Sequence, residues 1–376
     1  MRILAIDQYG ELGGAQRCLQ EAIGAFVRRG WQVHLAAPAG PLAEKLEPDC
    51  ASRTKLPCGP LTARRKTAQD VLRFVRQWPH QISTLRALAA DHRVDVLYVN
   101  GPRVLPAAVI AAQGKPVVFH AHSVIPQSCA RWLARGAALA RNVSVIASSR
   151  WVANSLPDRA LRIIYNGVAP TARSLSGRRY IKTVAVVGRI SPEKGQLDFV
   201  RAAQLLADDL PEVEFTIRGA PMFESDNYAA RVREAACAAH VSLNGWSEDT
   251  AGLYEDIDLL VVPSQSVENT PRVILEAFSA GVPVIAFAAG GIPELIRHGE
   301  TGTLVHDRTP KALAAAILKA ALWPGQVAQL AEQALAVAQS RFSLDRFQAE
   351  VCDALIDAAR RHQRMPLHIA GATVRQ

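Results

Sequence analysis

The sequence predicts an α/β protein made of two doubly wound, Rossmann-like domains. Continuous apolar runs alternate with helical stretches in two blocks, and an irregular basic stretch at residues 169–180 separates the blocks. Such runs are typical of strands buried on both faces, as in a parallel sheet covered by helices. The length of 376 residues also exceeds one ordinary core, and domains of about 150 to 200 residues are expected.

The first block opens with an apolar run at residues 2–7, which predicts a strand, and a helix over 15–29 follows it. The further strand candidates of this block are residues 33–38, 95–100, 116–122 and 143–149. These runs are apolar throughout and do not alternate, so we expect both faces of the first sheet to be covered.

The second block repeats the pattern. Its strand candidates are residues 183–189, 214–219, 241–246, 258–264 and 283–288, and its helix candidates are residues 196–207, 228–239, 271–280 and 310–322. Ligands of open α/β sheets bind at the carboxyl ends of the strands, so we expect the site in the crevice between the domains.

The stretch 343–361 predicts a C-terminal helix. Ser343 suits the N-cap, and apolar side chains recur at helical spacing at Phe347, Val351 and Leu355. We expect this helix to cross back onto the N-terminal domain and the residues from about 363 onward to be loose.

Composition and cysteine usage indicate a folded cytoplasmic protein. Apolar residues make up 49% and charged residues 20% of the chain, and no run approaches the ~20 apolar residues of a membrane span. The first residues are typical of a strand and not of a signal peptide. The six cysteines are scattered without metal-type spacing, so we expect reduced thiols and no metal site.

The net charge of +9 is concentrated in a basic region, residues 51–90. The cations of this region, which face only Asp70 within it, are Arg53, Lys55, Arg64, Arg65, Lys66, Arg73, Arg76 and Arg86. They form either a solvated face on surface helices or a patch that attracts an anionic membrane surface or an acidic acceptor. Binding of nucleic acid is disfavoured, because no nucleic-acid motif accompanies the patch.

The segment 186–200 places two cations between a strand and a helix. The buried strand ends at Gly188, and Arg189 and Lys194 follow in the loop. Fixed cations beside the free N–H groups of a helix start suit a diphosphate. The alternative is a basic strand-to-helix loop in which Gly195 only makes the turn.

In the segment 262–296, Glu268 and Glu276 are separated by seven residues. Thr270 is the expected N-cap of the following helix, with Pro271 in its first turn. Glu268 then precedes the helix and can hold hydroxyls of a sugar, whereas Glu276 lies within it and can accept both hydroxyls of a ribose. Ordinary solvated acids are less expected here, because the loop lies between apolar strands.

Backbone groups of this segment are further ligand candidates. The N–H groups near Arg272 can receive a phosphate or a sugar hydroxyl. Gly290 and Gly291 follow a buried strand, where glycine lets a backbone approach a ligand closely.

These motifs belong to a longer ordered series. The series consists of Gly188-Arg189, Lys194-Gly195, Pro263-Ser264, Glu268, Glu276, residues 281–286, Gly290-Gly291 with Glu294, and residues 301–305. It resembles the nucleotide-sugar domain of the retaining glycosyltransferases of the GT-B fold, and most closely glycosyltransferase family four, often called group one.

The N-terminal half also resembles this family. Gly13-Gly14 matches its glycine loop, residues 120–123 end a strand where the family places a histidine, and residues 165–168 match a segment before the linker. The resemblance thus covers nearly the whole chain except residues 51–90. It implies an acceptor-binding domain at residues 1–170, completed by helix 343–362, and a donor-binding domain at residues 178–342.

The resemblance implies a role for each matched residue. Arg189 and Lys194 neutralise the leaving diphosphate. The remaining roles are Glu276 on the ribose, Glu268 on the donor hexose, Thr270, Pro271 and Arg272 at the phosphate end, Gly13, Gly14 and Gly188 at close backbone approaches, His122 over the donor sugar, and His120 and Ser123 as further candidate sugar contacts.

Two segments depart from the family pattern. Asn269-Thr270-Pro271 stands where members commonly have glycine-containing sequences, and residues 218–221 stand where a glycine-acid-glycine turn is common. Close backbone approach to a ligand at these two places therefore does not follow from the resemblance.

We expect a metal-independent enzyme that moves a hexose, with retention, from a nucleotide diphosphate sugar to a saccharide or lipid-linked acceptor. It needs no cofactor, and the expected setting is cell-surface polysaccharide or glycolipid assembly, peripherally at the inner membrane face. A nucleotide-sugar epimerase of similar build and a non-catalytic protein that binds sugar nucleotides or polyanions are the alternatives.

Overall fold

The computed structural model describes residues 1–59, 68–124, 129–158, 160–171, 180–221, 226–246, 252–265 and 268–364. Within them the predicted fold is confirmed: two parallel sheets, each flanked by helices, form two doubly wound domains. Parts of three predictions lie outside the described residues, namely Arg64, Arg65 and Lys66 of the basic region, most of the stretch 169–180, and the tail beyond residue 364.

The N-terminal domain has a seven-stranded sheet of order β3-β2-β1-β4-β5-β6-β7. Its strands are β1 (Arg2–Asp7), β2 (Gln32–Ala37), β3 (Ser52–Lys55), β4 (Val96–Asn100), β5 (Val117–Ala121), β6 (Val143–Ala147) and β7 (Leu161–Ile163). Its helices are α1 (Gly14–Arg28), α2 (Pro41–Lys45), α3 (Ala68–Asp91), α4 (Leu105–Ala111), α5 (Cys129–Ala138) and α6 (Arg150–Ala153).

The C-terminal domain repeats the arrangement with a six-stranded sheet of order β10-β9-β8-β11-β12-β13. Its strands are β8 (Thr183–Val187), β9 (Glu214–Arg218), β10 (Ser242–Leu243), β11 (Leu259–Val262), β12 (Val284–Phe287) and β13 (Thr303–Val305). Its helices are α7 (Gln196–Leu205), α8 (Asp226–Ala238), α9 (Arg272–Ser279), α10 (Ile292–Leu295), α11 (Pro310–Leu322) and α12 (Pro324–Arg341).

Alternate residues of each central strand enter different cores, which explains the continuous apolar runs. Leu4 and Ile6 of β1 join the core on one face of the sheet, whereas Ile3 and Ala5 join the core on the other. Because both faces are covered, neither set of side chains can be polar.

The last helix, α13 (Leu344–Arg364), belongs to the N-terminal domain by its packing. Phe347, Val351 and Leu355 lie in the same core as Ile3 and the inner face of α1. The Ser343 hydroxyl accepts a hydrogen bond from the Arg346 N–H at 3.4 Å, as expected of an N-cap.

The two segments that cross between the domains pair with each other. Val168 and Ser343 form a parallel bridge, in which Val168 N–H donates to the Phe342 carbonyl at 2.9 Å and Leu344 N–H donates to the Val168 carbonyl at 3.0 Å. A Cβ atom on Gly167 would lie 2.7 Å from the Phe347 Cβ and 2.8 Å from the Leu344 Cα. Only glycine therefore fits at this crossing without displacing α13.

Part of the basic region, residues 68–90, lies on helix α3. Arg76 is exposed on this helix beside the exposed apolar side chains Leu72 and Val75. Arg53, by contrast, is paired with Glu47 at 2.9 Å. Among the described helices, none combines the length and the hydropathy that crossing a membrane requires.

Candidate active site

A cavity of about 380 Å³ lies between the two domains, at the carboxyl ends of both sheets. It is bordered by the loops after β1, β4 and β5 on one side and by the loops after β8 and β11 and the start of α9 on the other. The predicted site residues that line it are Gly13, Gly14, His122, Ser123, Gly188, Arg189, Lys194, Glu268, Thr270, Pro271, Arg272 and Glu276. The structure thus brings the predicted site residues to one crevice, except His120 and the two candidates Gly290 and Gly291.

His120 lies in the core, not at the cavity. Its ring is fully buried, and its Nδ1 lies 2.5 Å from the hydroxyl of Tyr98. It stacks behind His122, with 3.9 Å between ring centroids. Position along the strand explains this outcome, because His120 lies within β5 whereas His122 follows its carboxyl end, where the cavity lies. A direct sugar contact through His120 is not supported.

Lys194 and Glu268 form an ion pair at the wall contributed by the C-terminal domain. The Lys194 Nζ lies 2.6 Å from Glu268 Oε2, which also accepts a hydrogen bond from the Ser264 hydroxyl at 2.9 Å. The two side chains keep 25% and 13% of their accessible surface. Both charges are therefore poised at the cavity, each serving as the other's counter-ion.

Arg189 lies on the same wall and is paired with Glu193, four residues along the loop. Its Nε also donates to the Ser191 hydroxyl at 3.4 Å. The turn between Arg189 and α7 depends on Gly195, which has a φ of 70° and whose Cβ, if present, would lie 1.9 Å from the Pro263 carbonyl oxygen. Glycine at this position is therefore a packing requirement of the loop.

Gly290 and Gly291 do not approach a ligand as expected; they approach the loop that carries Glu268. A Cβ on Gly290 would lie 2.0 Å from the Glu268 carbonyl oxygen, and one on Gly291 would lie 1.9 Å from that of Asn269. The Gly291 N–H donates to the Glu268 carbonyl at 2.7 Å. These contacts with Gly290 and Gly291 fix the backbone of the loop, and therefore also the position of the Glu268 carboxylate.

Helix α9 begins one residue later than expected, and Thr270 is not its cap. Pro271, with extended dihedrals, occupies the N-cap position and offers no side-chain hydrogen bond. The Thr270 hydroxyl instead donates to Ser148 of the N-terminal domain, at 3.1 Å to its hydroxyl and 3.2 Å to its carbonyl.

Asn269, the other departure from the family pattern, also joins the domains. Its side-chain oxygen accepts a hydrogen bond from the Val124 N–H at 3.2 Å. Asn269 and Thr270 stand where family members commonly have glycine-containing sequences. In this chain their side chains hydrogen-bond the loop to the N-terminal domain.

Arg272 links the domains through acids and is not a free phosphate ligand in this structure. Its guanidinium binds both carboxylate oxygens of Glu21 on α1, at 2.7 and 2.8 Å, and lies 3.4 Å from Glu276. Burial raises the pKa of Glu21, and the attraction of Arg272 opposes that rise. A phosphate at this end would therefore contact the backbone of the helix start or displace an internal acid.

Besides Arg272 of its own domain, Glu276 lies close to a cation of the N-terminal domain. Arg17 of α1 lies 3.6 Å from its carboxylate, and the Tyr254 hydroxyl donates to it at 3.0 Å. Burial raises the pKa of Tyr254 well above its ordinary value, so the phenol keeps its proton and acts as donor. The acid predicted to bind a ribose is thus held in place from both domains.

The opposite wall contains a polar chain of Asp7 and Asn100, which are buried, and His122, which is partly exposed. Asp7 and Asn100 are register partners on adjacent strands, and Asn100 Nδ2 lies 2.5 Å from Asp7 Oδ2. Asn100 Oδ1 lies 2.7 Å from His122 Nε2. Burial raises the pKa of Asp7 to about 7, whereas burial and the nearby Arg272 lower the pKa of His122 to about 3.

Several cavity residues were missed from the sequence. They are Gln8, Tyr9, Arg17, Asn100, Trp246 and Asn269. Asn100 carried a usable signal, because it is a polar residue at the carboxyl end of an apolar strand, as His122 is. Arg17 carried none, since a basic residue on a surface helix is common.

Among the residues that the structure describes, no three His, Cys, Asp or Glu side chains cluster as metal ligands would. The cationic side chains that line the cavity among the described residues are Arg17, Arg189, Lys194, Arg218 and Arg272.

Two family models match the chain, one on each domain. Residues 12–172 match the family described as "Glycosyltransferase Family 4", and residues 181–321 match "Glycosyl transferases group 1". Together the two matches span most of the chain and include both walls of the cavity.

Curated relatives from mycobacteria are similar to the chain. A D-inositol 3-phosphate glycosyltransferase of Mycolicibacterium gilvum is 37% identical over 163 residues, which is 42% of this chain and 34% of that protein. A GDP-mannose-dependent phosphatidylinositol monomannoside mannosyltransferase of Mycobacterium tuberculosis is 27% identical over 269 residues, 62% of this chain and 68% of that protein. The chain thus spans about a third of the length of the first of these relatives.

Solved structures share the fold over nearly the whole chain. HepE of Anabaena, crystallised in complex with UDP-glucose, superposes with a TM-score of 0.79 at 25% identity and covers 95% of this chain and 100% of its own. Sucrose-phosphate synthase of Thermosynechococcus elongatus superposes with a TM-score of 0.78 at 19% identity, covering 96% of this chain and 99% of its own, which supports the fold alone.

Proposed function

The chain belongs to the family 4, or group 1, glycosyltransferases of the GT-B fold, and on that premise we propose that it transfers a hexose from a nucleotide diphosphate sugar to an acceptor hydroxyl with retention at the anomeric carbon. The observation that carries the proposal is the Lys194–Glu268 ion pair at the cleft between the domains. A nucleotide sugar supplies the partners that both charges need, diphosphate oxygens for the ammonium and sugar hydroxyls for the carboxylate.

The two cations of the C-terminal wall account for leaving-group departure. As the bond between the anomeric carbon and the diphosphate oxygen breaks, negative charge grows on that oxygen. Lys194 and Arg189 stabilise this charge from fixed positions, which is a larger effect in a shielded cleft than in water. No metal or cofactor is required in this scheme, and chelation with EDTA should leave the transfer rate unchanged.

The acceptor step follows from the same geometry. The acceptor oxygen attacks the anomeric carbon from the face that the diphosphate leaves, and the departing phosphate oxygen takes the acceptor proton. The new carbon–oxygen bond then has the configuration of the old one. His122 cannot serve as the general base here, because burial and Arg272 lower its pKa to about 3.

The names of similar proteins support the substrate class. HepE is described with UDP-glucose, and one mycobacterial relative is described as GDP-mannose-dependent and as acting on a phosphatidylinositol mannoside. We extend the proposal to a saccharide or lipid-linked acceptor in cell-surface polysaccharide or glycolipid assembly. The exposed cation and apolar side chains of α3 are compatible with peripheral contact to an anionic inner membrane face.

The first test is a thermal-shift screen of UDP-, GDP- and ADP-hexoses, with the free nucleoside diphosphates as references. A ligand that binds the folded state raises its apparent melting temperature by mass action. We expect at least one sugar nucleotide to do so. If none of them, nor any nucleoside diphosphate, shifts the transition at millimolar concentration, the proposal is wrong.

The second test follows the fate of the donor. With a glycan or glycolipid acceptor, nucleoside diphosphate release should depend on the acceptor, and the product should keep the anomeric configuration by NMR. Epimerised donor formed without any acceptor would indicate an epimerase instead. Binding without turnover over an acceptor panel would indicate a binding protein.

A further inference from the structure

The polar chain Asp7–Asn100–His122 connects the interior of the N-terminal domain to the cavity. Its members stand at the carboxyl ends of β1, β4 and β5, which are neighbours in the sheet. Asp7 has no exposed surface and Asn100 has 1%, whereas His122 borders the cavity. None of the proposed steps of hexose transfer uses Asp7 or Asn100, although a buried acid is costly unless it is well bonded.

Asp7 is surrounded by donors, which fixes the orientation of Asn100. The Tyr9 N–H donates to Asp7 Oδ1 at 2.7 Å, and Gln16 Nε2 donates to the carboxylate at 3.1 and 3.2 Å. Asn100 completes the set through Nδ2, which also donates to the Ala15 carbonyl at 3.2 Å. With two acceptors facing one end of its amide, Asn100 must present its nitrogen there and its oxygen to His122.

This orientation selects the tautomer of His122. Asn100 Oδ1 can only accept, so the Nε2 atom that lies 2.7 Å away must carry the imidazole proton. The ring is neutral across the ordinary pH range, because its pKa is lowered to about 3 by burial and by Arg272. Nδ1 is then a bare acceptor with almost no exposed surface, and the described part of the chain offers it no hydrogen-bond partner.

We propose that Asp7 and Asn100 are positioning residues that hold His122 as its Nε2–H tautomer, so that Nδ1 accepts a hydrogen bond from a hydroxyl group of the donor hexose. The inference rests on the proposed function and deepens it. An acceptor-only nitrogen binds a hydroxyl and repels a phosphate oxygen. His122 therefore distinguishes a sugar nucleotide from the bare nucleoside diphosphate.

The burial of Asp7 is consistent with this role. A carboxylate directly beside the imidazole would favour its protonated form. The interposed amide of Asn100 transmits the orientation without the charge, so the ring stays neutral. A neutral acceptor suits a hexose hydroxyl better than an imidazolium, which has only donors.

The tautomer is tested by NMR on protein labelled with ¹⁵N-histidine, since nitrogen shifts separate the two neutral tautomers and the imidazolium. The signal lost in His122→Gln identifies the residue. We expect a neutral, Nε2–H ring from pH 5 to 8, and a mixture of tautomers in Asn100→Ala. An Nδ1–H tautomer or a protonated ring in the wild type would overturn the inference without any ligand.

The consequence is tested by calorimetry with two ligand pairs, UDP with UDP-glucose and GDP with GDP-mannose. One lost or misaligned neutral hydrogen bond is worth about 1 kcal/mol, so Asn100→Ala should weaken the sugar nucleotide about 5- to 10-fold. Affinity for the nucleoside diphosphate should not change. His34→Gln is the matched control, because His34 is a buried histidine bonded to Ser52 away from the cavity.

The outcomes distinguish a failure of the positioning role from a failure of the proposed function. If the wild type binds the sugar nucleotide and Asn100→Ala weakens both members of the pair equally, the positioning role is wrong and the proposed function stands. If the wild type binds neither pair nor any other sugar nucleotide, the proposed function is wrong. Circular dichroism and melting temperature show whether each variant is folded.

Discussion

The two walls of the cleft hold their polar groups in different ways. On the N-terminal wall Asp7, Asn100 and His122 form a chain in which burial itself suppresses charge, since it raises the pKa of the acid and lowers that of the imidazole. On the C-terminal wall Lys194 and Glu268 keep opposite charges by pairing with each other at 2.6 Å. The polar groups of the N-terminal wall are therefore neutral and fixed in position. Those of the C-terminal wall are charged and can exchange each other for a ligand.

This difference indicates a division of labour. A neutral wall whose side chains are hydrogen-bonded to one another keeps its geometry whether or not a ligand is present, which suits recognition of uncharged hydroxyls. A charged wall whose members are each other's counter-ions can open when a ligand supplies better partners, which suits a diphosphate whose charge grows during reaction.

The largest effect is expected for Lys194→Ala, which breaks the charged wall. Loss of one preorganised group that stabilises the leaving charge should lower kcat/KM by on the order of 100-fold or more. The measurement is acceptor-dependent release of nucleoside diphosphate with the donor identified by thermal shift. Lys319→Ala, an exposed lysine on α11, is the matched control and should be unchanged. Normal turnover in Lys194→Ala would refute the assigned role.

The next largest effect is expected for Glu21→Gln, which weakens the ion pair between Glu21 and Arg272 that links the two walls. The two side chains keep only 19% and 11% of their surface, and breaking a buried pair from one side leaves a buried charge. Because glutamine retains one hydrogen bond, we expect Glu21→Gln to lower the free energy of unfolding by about 2 kcal/mol, less than full removal of a partner. Urea denaturation measures this difference.

The control for that experiment is Glu300→Gln, which removes the partner of Arg297 from a pair that is 61% and 67% exposed. Exposed pairs contribute about 0 to 1 kcal/mol. Equal effects in the two variants would show that the interdomain pair is no more important than a surface pair.

The pH dependence of the stability of Asp7→Asn tests whether the pKa of Asp7, in the neutral wall, is raised in the folded protein. The folded-state pKa of about 7 lies above the ordinary value of 3.8, so the folded protein binds the proton more tightly than the unfolded chain does. The contribution of Asp7 to stability therefore falls as pH rises from about 4 to about 7 and is constant above that.

Asparagine does not titrate, so the melting temperature of Asp7→Asn minus that of the wild type should rise across this pH range and then level off. Scanning calorimetry at half-unit pH steps measures it. A difference that is independent of pH would mean that Asp7 keeps an ordinary pKa.

The smallest effect is expected for Glu294→Gln, which weakens a contact outside both walls. The Glu294 carboxylate, from the C-terminal domain, accepts the Arg150 and Trp151 N–H groups at 2.8 and 2.6 Å at the start of α6, and the Tyr165 hydroxyl at 2.8 Å. Loss of one acceptor at this helix start should cost about 1 kcal/mol in urea denaturation. No change relative to Glu300→Gln would contradict the capping role.

Much of the fold could be predicted from the sequence, because buried parallel strands produce long apolar runs. Short or polar elements left no such signal. β3 is an edge strand of sequence SRTK, β7 and β13 have three residues each, and α12 buries mainly alanines such as Ala331 and Ala334. Their structure comes from tertiary pairing and packing, which local patterns do not encode.

The cleft was predictable where a motif has a fixed local geometry, as in the loops that carry Lys194 and Glu268. Pairings between the domains were not. The sequence offers no reason to join Glu21 with Arg272 or Arg17 with Glu276, since 251 positions separate the first pair. Likewise, the double glycine led to the expectation of a close backbone approach to a ligand, whereas the structure shows a close approach to a neighbouring loop.

The packing of α13 has a consequence for how the protein is made. The face of the first sheet that Phe347, Val351 and Leu355 cover stays open until α13 has been synthesised. At about 5 to 20 residues per second, the ribosome needs on the order of ten seconds or more to travel from β7 to α13. The domain that is translated first therefore completes its apolar core only after the second domain has been translated.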